Sequence, residues 1–136
     1  MKKTAITVVG CATALFLGVA FAQDHEEFKT WMKDTNTNFA SLRKTVAAKQ
    51  GGETAATAEK MAGIFEQVRG HFEEHHMDDG TNFAKAGHDA AKDLVSAANS
   101  GDWEKASADL KTLGGACQGC HTAHREKLPD GSFKMK

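Results

Sequence analysis

Cys117-Gln118-Gly119-Cys120-His121 places two thiols and an imidazole within one short segment. Cysteines three apart share one side of a helix, where each can form a thioether to a haem vinyl group while the adjacent histidine turns its imidazole onto the iron. This is the c-type haem attachment sequence. Two other chemistries use the same residue types. A Cys-x-x-Cys redox pair belongs near the start of a helix in a βαβ setting, where the helix dipole lowers a thiol pKa, whereas this pair falls late in the last helical segment. A zinc site from Cys117, Cys120 and two histidines lacks a second cysteine pair to complete a familiar pattern.

A haem iron has a further axial position, and Met32 is the first candidate to fill it. It lies eight residues into the first helical segment counted from Asp24, about 12 Å at ~1.5 Å per residue; His121 lies seven residues, about 10 Å, before Leu128. In an antiparallel pair those depths coincide. The rivals are His71, His75 and His76 near the end of the second segment, with His75 continuing its apolar stripe. His88 has the right depth but faces solvent. An open iron screened by Phe28 and Met32 is the third arrangement. The run Glu73-Glu74-His75-His76 followed by Asp78-Asp79 could hold a divalent metal, but reads better as a solvated helix end whose histidines face the carbonyl dipoles.

The elements that must position these groups are helical. The chain has 136 residues, one proline, no tyrosine and a net charge of −1, with abundant alanine, which favours helix over sheet. That length suits one domain, and no run of Lys or Arg offers the footprint of a nucleic-acid binder. Lys2 and Lys3, the apolar stretch Ala5 to Phe21 and the Ala20-Phe21-Ala22 pattern predict a signal peptide over 1–22, cleaved after Ala22, with export to the periplasm. The stretch is a poor membrane anchor, so stable membrane insertion is not expected. Val8-Val9-Gly10-Cys11 also looks like a lipoprotein box, but it leaves only Ile6 to Gly10 as the hydrophobic region. Cleavage would leave a domain over 23–136 with 15 basic against 18 acidic residues, a charge of −3, and two of the three cysteines.

Turn signals at Gln50-Gly51-Gly52, Asp78-Asp79-Gly80 and Asn99-Ser100-Gly101 divide that domain into four segments. Asp24 with Glu27, Thr81 and Asp102 can cap helix starts, and Pro129 stops the last helix. Each segment carries an inward stripe with steps of three and four: Phe28, Met32, Thr35, Phe39, Leu42 and Val46; Ala58, Met61, Phe65, Val68, Phe72 and His75; Phe83, Gly87, Ala90, Leu94 and Ala97; and Trp103, Ala106, Leu110, Leu113, Cys117, Cys120 and His124. This predicts an all-α, antiparallel up-down-up-down four-helix bundle, with covalently bound haem near one end and a loosely held tail over 130–136.

An exported helical chain of this size, with a single haem motif near its C-terminus and a basic residue four beyond the histidine, resembles the class II cytochromes c, the cytochrome c-prime family. The resemblance spans the whole mature chain. It implies one haem c held by thioethers at Cys117 and Cys120, His121 as proximal iron ligand and Arg125 near the haem edge; Phe28 and Phe39, which flank Met32 on its inward stripe, are expected to line the pocket. Many members have Phe or Tyr where this chain has His124, which is read as a residue behind the ligands or on the surface. Trp31-Met32-Lys33-Asp34 is similar to the segment that supplies the distal methionine in the low-spin branch. The expected activity is electron transfer by a carrier without substrate turnover, serving redox partner proteins in the periplasm. The negative charge suggests that the partner's patch is basic or neutral. A five-coordinate iron would instead make a binder of NO or CO, a scavenger or sensor. No Arg-His pair can be placed on the distal side for a peroxidase. Many relatives pair, so a homodimer is also an expectation.

Overall fold

In the computed structural model the backbone is described for residues 13–136 and side chains from residue 26 onward. The start of the expected signal segment, with Cys11, lies outside the described residues, as do the side chains around Ala22. Four helices follow in order: α1 Thr13–Ala47, α2 Gly51–Glu74, α3 Asp78–Ser100 and α4 Trp103–His124. They pack on one another as a helical bundle. Among the described residues no helix is long and apolar enough to cross a membrane.

The stripes explain the packing. Leu42, Ala58, Met61, Phe72, Leu94, Ala106 and Leu113 are fully buried, and Thr35, Val46, Phe65, Val68, Ala90 and Ala97 are nearly so. One position departs: His75 is the C-cap of α2 and exposed, because the helix ends at Glu74 and the stripe ends with it. His71 is buried instead.

Helix boundaries also depart from the turn signals. α1 does not begin at the Asp24 cap, since nothing between Thr13 and Asp24 breaks a helix. Gly51, Gly52 and Gly80 lie inside helices, and the left-handed residues in the turns before them are Lys49 (φ 56°) and His76 (φ 54°). Gly80 serves close approach rather than backbone freedom: a Cβ there would come within 2.6 Å of the Phe72 ring, and one at Gly87 within 2.7 Å of Phe65. With Ala84, Ala90, Ala91 and Ala97 also buried, α3 lets the phenylalanines of α2 lie against its backbone. Met77, not Thr81, is the N-cap of α3. Asp102 does cap α4, its Oδ1 accepting from the Lys105 N–H at 2.9 Å. Gly101, at φ 72°, closes α3 in the left-handed conformation.

The four interfaces are unequal. α2 and α3 pack most extensively, α3 and α4 next, and α1 leans on α2 while touching α4 at few points. The tail is ordered rather than loose. α4 stops at His124, and the strands β1 Arg125–Lys127 and β2 Phe133–Met135 pair antiparallel, with Arg125 opposite Met135. Pro129-Asp130-Gly131 makes the turn. Asp130 Oδ1 accepts from the Ser132 N–H at 2.9 Å and from its hydroxyl at 2.6 Å, and Gly131 takes φ 85°. The Lys136 N–H donates to the His124 carbonyl at 2.8 Å, tying the hairpin to the end of α4.

Candidate functional site

Cys117 and Cys120 sit on the last turns of α4, three residues apart, both half-buried and both free thiols. Burial pushes the Cys117 thiol up. It does the same for Cys120, with the negative charges of Cys117 and Asp79 adding to it, so that this thiol ionises only at about 11. These are the opposite of activated redox thiols, whose pKa is lowered by a helix N-terminus or a nearby cation.

His121 follows, also half-buried. Burial lowers its pKa, and the Arg125 guanidinium adds to the shift. Arg125 Nη1 lies 3.5 Å from His121 Nδ1. A guanidinium can only donate, so this contact favours the neutral imidazole. Arg125 is held in turn by Phe133, whose ring centroid is 3.5 Å from the guanidinium carbon. Neutral imidazole is the form that ligates a metal.

Across the seam from α4 stands α1. A cavity of about 640 Å³ opens there, lined by Phe28 and Met32 of α1, Cys120, His121 and His124 of α4, and the hairpin residues Phe133 and Met135. A narrower cleft of about 20 Å³ continues inward, lined by Met32, Thr35, Cys117, Cys120 and His121 together with apolar groups of α2 and α3. Met32, Cys120 and His121 line both, and Cys117 lines the narrower one, so four of the residues singled out from the sequence meet at two adjoining spaces.

Others stand elsewhere. Phe39 lines neither cavity; its ring lies against Gly114 and under Arg43, whose guanidinium carbon is 5.1 Å from the ring centroid. His71 is 7% exposed and also lines neither. It sits in an aromatic group with Phe28 (4.7 Å between centroids), Phe72 (5.8 Å) and His75 (4.5 Å). His124 is 8% exposed, against the Phe72 ring at 5.2 Å, so it is not a surface residue. Its Nε2 is 3.1 Å from Asp79 Oδ2, at ion-pair distance but without the alignment of a hydrogen bond. That pair joins the end of α4 to the start of α3. Glu73, Glu74, His75 and His76 are exposed, and among the described residues no three His, Cys, Asp or Glu side chains group as a metal cluster.

No family model matches this chain, and no curated protein matches it. The site must be read from its own chemistry.

The residues fit a covalently held haem on three counts. The larger cavity has the volume of a small-molecule or cofactor site, roughly 300–1,000 Å³. Its lining is largely apolar, yet Lys29, Arg125 and Lys134 all face it and no carboxylate does, which suits a flat apolar ring carrying carboxylates on one edge. Finally, Thr35 Oγ1 is buried beside the cysteines with no hydrogen-bond partner in the chain. The hairpin's share of the lining was not anticipated from the sequence, although Pro129-Asp130-Gly131 is a turn signal that could have revealed it.

Proposed function

We propose that this chain is a periplasmic monohaem c-type cytochrome of the class II kind, an up-down-up-down bundle that transfers electrons through a His/Met-ligated iron. The carrying observation is that Cys117, Cys120, His121 and Met32, drawn from opposite ends of the sequence, line the same narrow cleft, and that all but Cys117 also line the larger cavity beside it. When bound, haem supplies a one-electron ferric/ferrous couple.

The chain's own residues do the rest. Cys117 and Cys120 hold the group to α4 by thioethers, and their high pKa keeps them as uncharged thiols in a partly apolar site until then. His121 gives its imidazole from one side, with Arg125 keeping that ring neutral. Met32 presents its sulfur from α1. A thioether ligand and burial among Phe28, Phe65, Val68 and Phe83 favour the less charged reduced state, so the potential is raised relative to a bis-histidine centre. Both side chains that would hold the iron ride on helices of the bundle, so little would need to move when the charge changes. Electrons leave at the mouth beside Arg125 and Phe133, where a redox partner protein docks by a small transient interface.

A visible spectrum of the purified ferric protein tests this. The expected result is a low-spin haem with the weak far-red band of methionine-to-iron coordination, and Met32→Ala should turn it high-spin. A high-spin ferric protein lacking that band would replace the carrier with a five-coordinate binder of NO or CO. An unchanged Met32→Ala spectrum would remove Met32 from the iron.

A further inference from the structure

Thr35 stands one helical turn beyond Met32 on α1 and is 7% exposed. Its hydroxyl is out of reach of solvent and bonds to nothing in the chain. This departs from most threonines described in these helices. Thr30, Thr37, Thr81, Thr112 and Thr122 each donate to the carbonyl four residues back, the default for a helical hydroxyl. A buried hydroxyl left unpaired is destabilising, and such a group in a native fold calls for a partner. Thr54 shares the condition, but it lies at the start of α2 and lines neither cavity.

The surroundings of Thr35 restrict what that partner is. The narrow cleft it lines is otherwise walled by Phe65, Val68, Phe83 and Ala84, whose side chains accept nothing. The remaining lining groups are the sulfurs of Met32, Cys117 and Cys120 and the ring of His121. On the reading above, His121 would give its nitrogen to iron, which leaves the three sulfurs as acceptors. That of Met32 is carried on the same helix, three residues back, and keeps a second lone pair when the first goes to the iron.

We propose that Thr35 is a positioning residue for the distal ligand, its hydroxyl donating to Sδ of Met32 when that sulfur is turned toward the iron. The proposal rests on the His/Met reading. A thioether is a weak acceptor, but sulfur is what this pocket offers the hydroxyl, and the Met32 sulfur is the one on its own helix, one turn away. The hydrogen bond fixes the rotamer of an otherwise flexible side chain and draws electron density off the sulfur. A ligand that donates less stabilises the oxidised iron less, so Thr35 raises the potential.

The test uses the haem-loaded protein. Thr35→Val keeps the shape and removes the hydroxyl. At a fixed ambient potential the ratio of reduced to oxidised protein should fall about three- to tenfold, the range set by losing one modest hydrogen bond. Tenfold corresponds to 59 mV for a one-electron couple. The far-red band should shift or weaken, and Thr35→Ser should restore both. An unchanged potential with the band intact overturns the proposal, whether or not stability changes, because a purely structural threonine would leave the potential where it was. Should the valine variant not fold, Thr35→Ala against Thr35→Ser makes the same comparison. Failure of the underlying reading is seen separately and earlier: the unsubstituted protein would lack the band, or Met32→Ala would leave it in place.

Discussion

Gly119, inside the attachment motif, and Gly115, one turn earlier on the same helix, should respond to alanine with opposite signs. A Cβ at Gly115 meets nothing within 4 Å. There alanine only removes the entropy cost of a helical glycine, a gain of roughly 0.5–1 kcal/mol. A Cβ at Gly119 would sit well inside van der Waals distance of Phe83 Cε1, with Cδ1 at 3.0 Å and Cζ at 3.1 Å. Carbon pairs are comfortable at about 3.5–4.0 Å, so the ring must retreat by close to an ångström. Overpacking of this kind costs about 1–3 kcal/mol. Set against the same helical gain, Gly119→Ala should destabilise by roughly 0.5–2 kcal/mol. The direction of retreat matters as well, because Phe83 lines the narrow cleft with Met32 and His121. Urea unfolding of the haem-loaded variants measures both: the midpoint should rise for Gly115→Ala and fall for Gly119→Ala, with unchanged slope. A Gly119→Ala protein as stable as Gly115→Ala would refute the placement of Phe83 over the motif.

Two further outcomes follow from the thiols and the hairpin. In chain prepared without haem, Cys120 ionises near 9.0 when unfolded and about 11 when folded, and Cys117 is raised as well. A raised pKa means that the native state holds its protons longer, so this contribution to stability is complete below about pH 9 and lost as the pH climbs toward 11. Haem-loaded protein, with both sulfurs as thioethers, should lack that alkaline fall and yield no titratable thiol on unfolding. An identical fall in the two preparations would count against thioethers. Gly131→Ala, at φ 85°, should cost about 1 kcal/mol confined to the hairpin. Hydrogen exchange at Leu128, which donates to the Ser132 carbonyl at 2.8 Å, should quicken while exchange in α2 and α3 does not; equal protection in both proteins would show that this turn does not hold the strands.

Periodicity made the bundle legible, because burial against a neighbouring helix imposes the 3-4 step on the sequence itself. It failed where a helix ended: His75 is in phase with Phe72, but phase means nothing beyond Glu74, and His71 took the buried place. Glycines misled for a related reason. Gly51 and Gly80 look like turn residues until the partner across the interface is known, and for Gly80 that partner is the Phe72 ring. Cys117, Cys120, His121 and Met32 could be singled out because the chemistry they suggest is carried by residue type, and they line one cleft. Thr35 could not be, since nothing in the sequence says that its hydroxyl forgoes the carbonyl one turn back. The hairpin was legible in principle, but three-residue strands carry too little pattern to outweigh a helix running toward Pro129.

The loosest of the helix interfaces is the one that borders the candidate site. α2 and α3 close on each other by setting Phe65 on Gly87 and Phe72 on Gly80, and α1 leans on that pair through Phe28, whose ring meets Phe72 at 5.9 Å. Beyond Phe39, which lies on Gly114, the α1–α4 seam carries small or polarisable groups instead: Thr35 and Met32 on one side, Cys117 and Cys120 on the other. A seam meant only to be filled would carry larger side chains, as native interiors leave few voids. A group bonded three times to α4, through Cys117, Cys120 and His121, and once to α1 would bridge the two helices that the polypeptide alone barely joins. The same bond that sets the potential would then also anchor α1, so that Met32→Ala should loosen the first helix more than any other element.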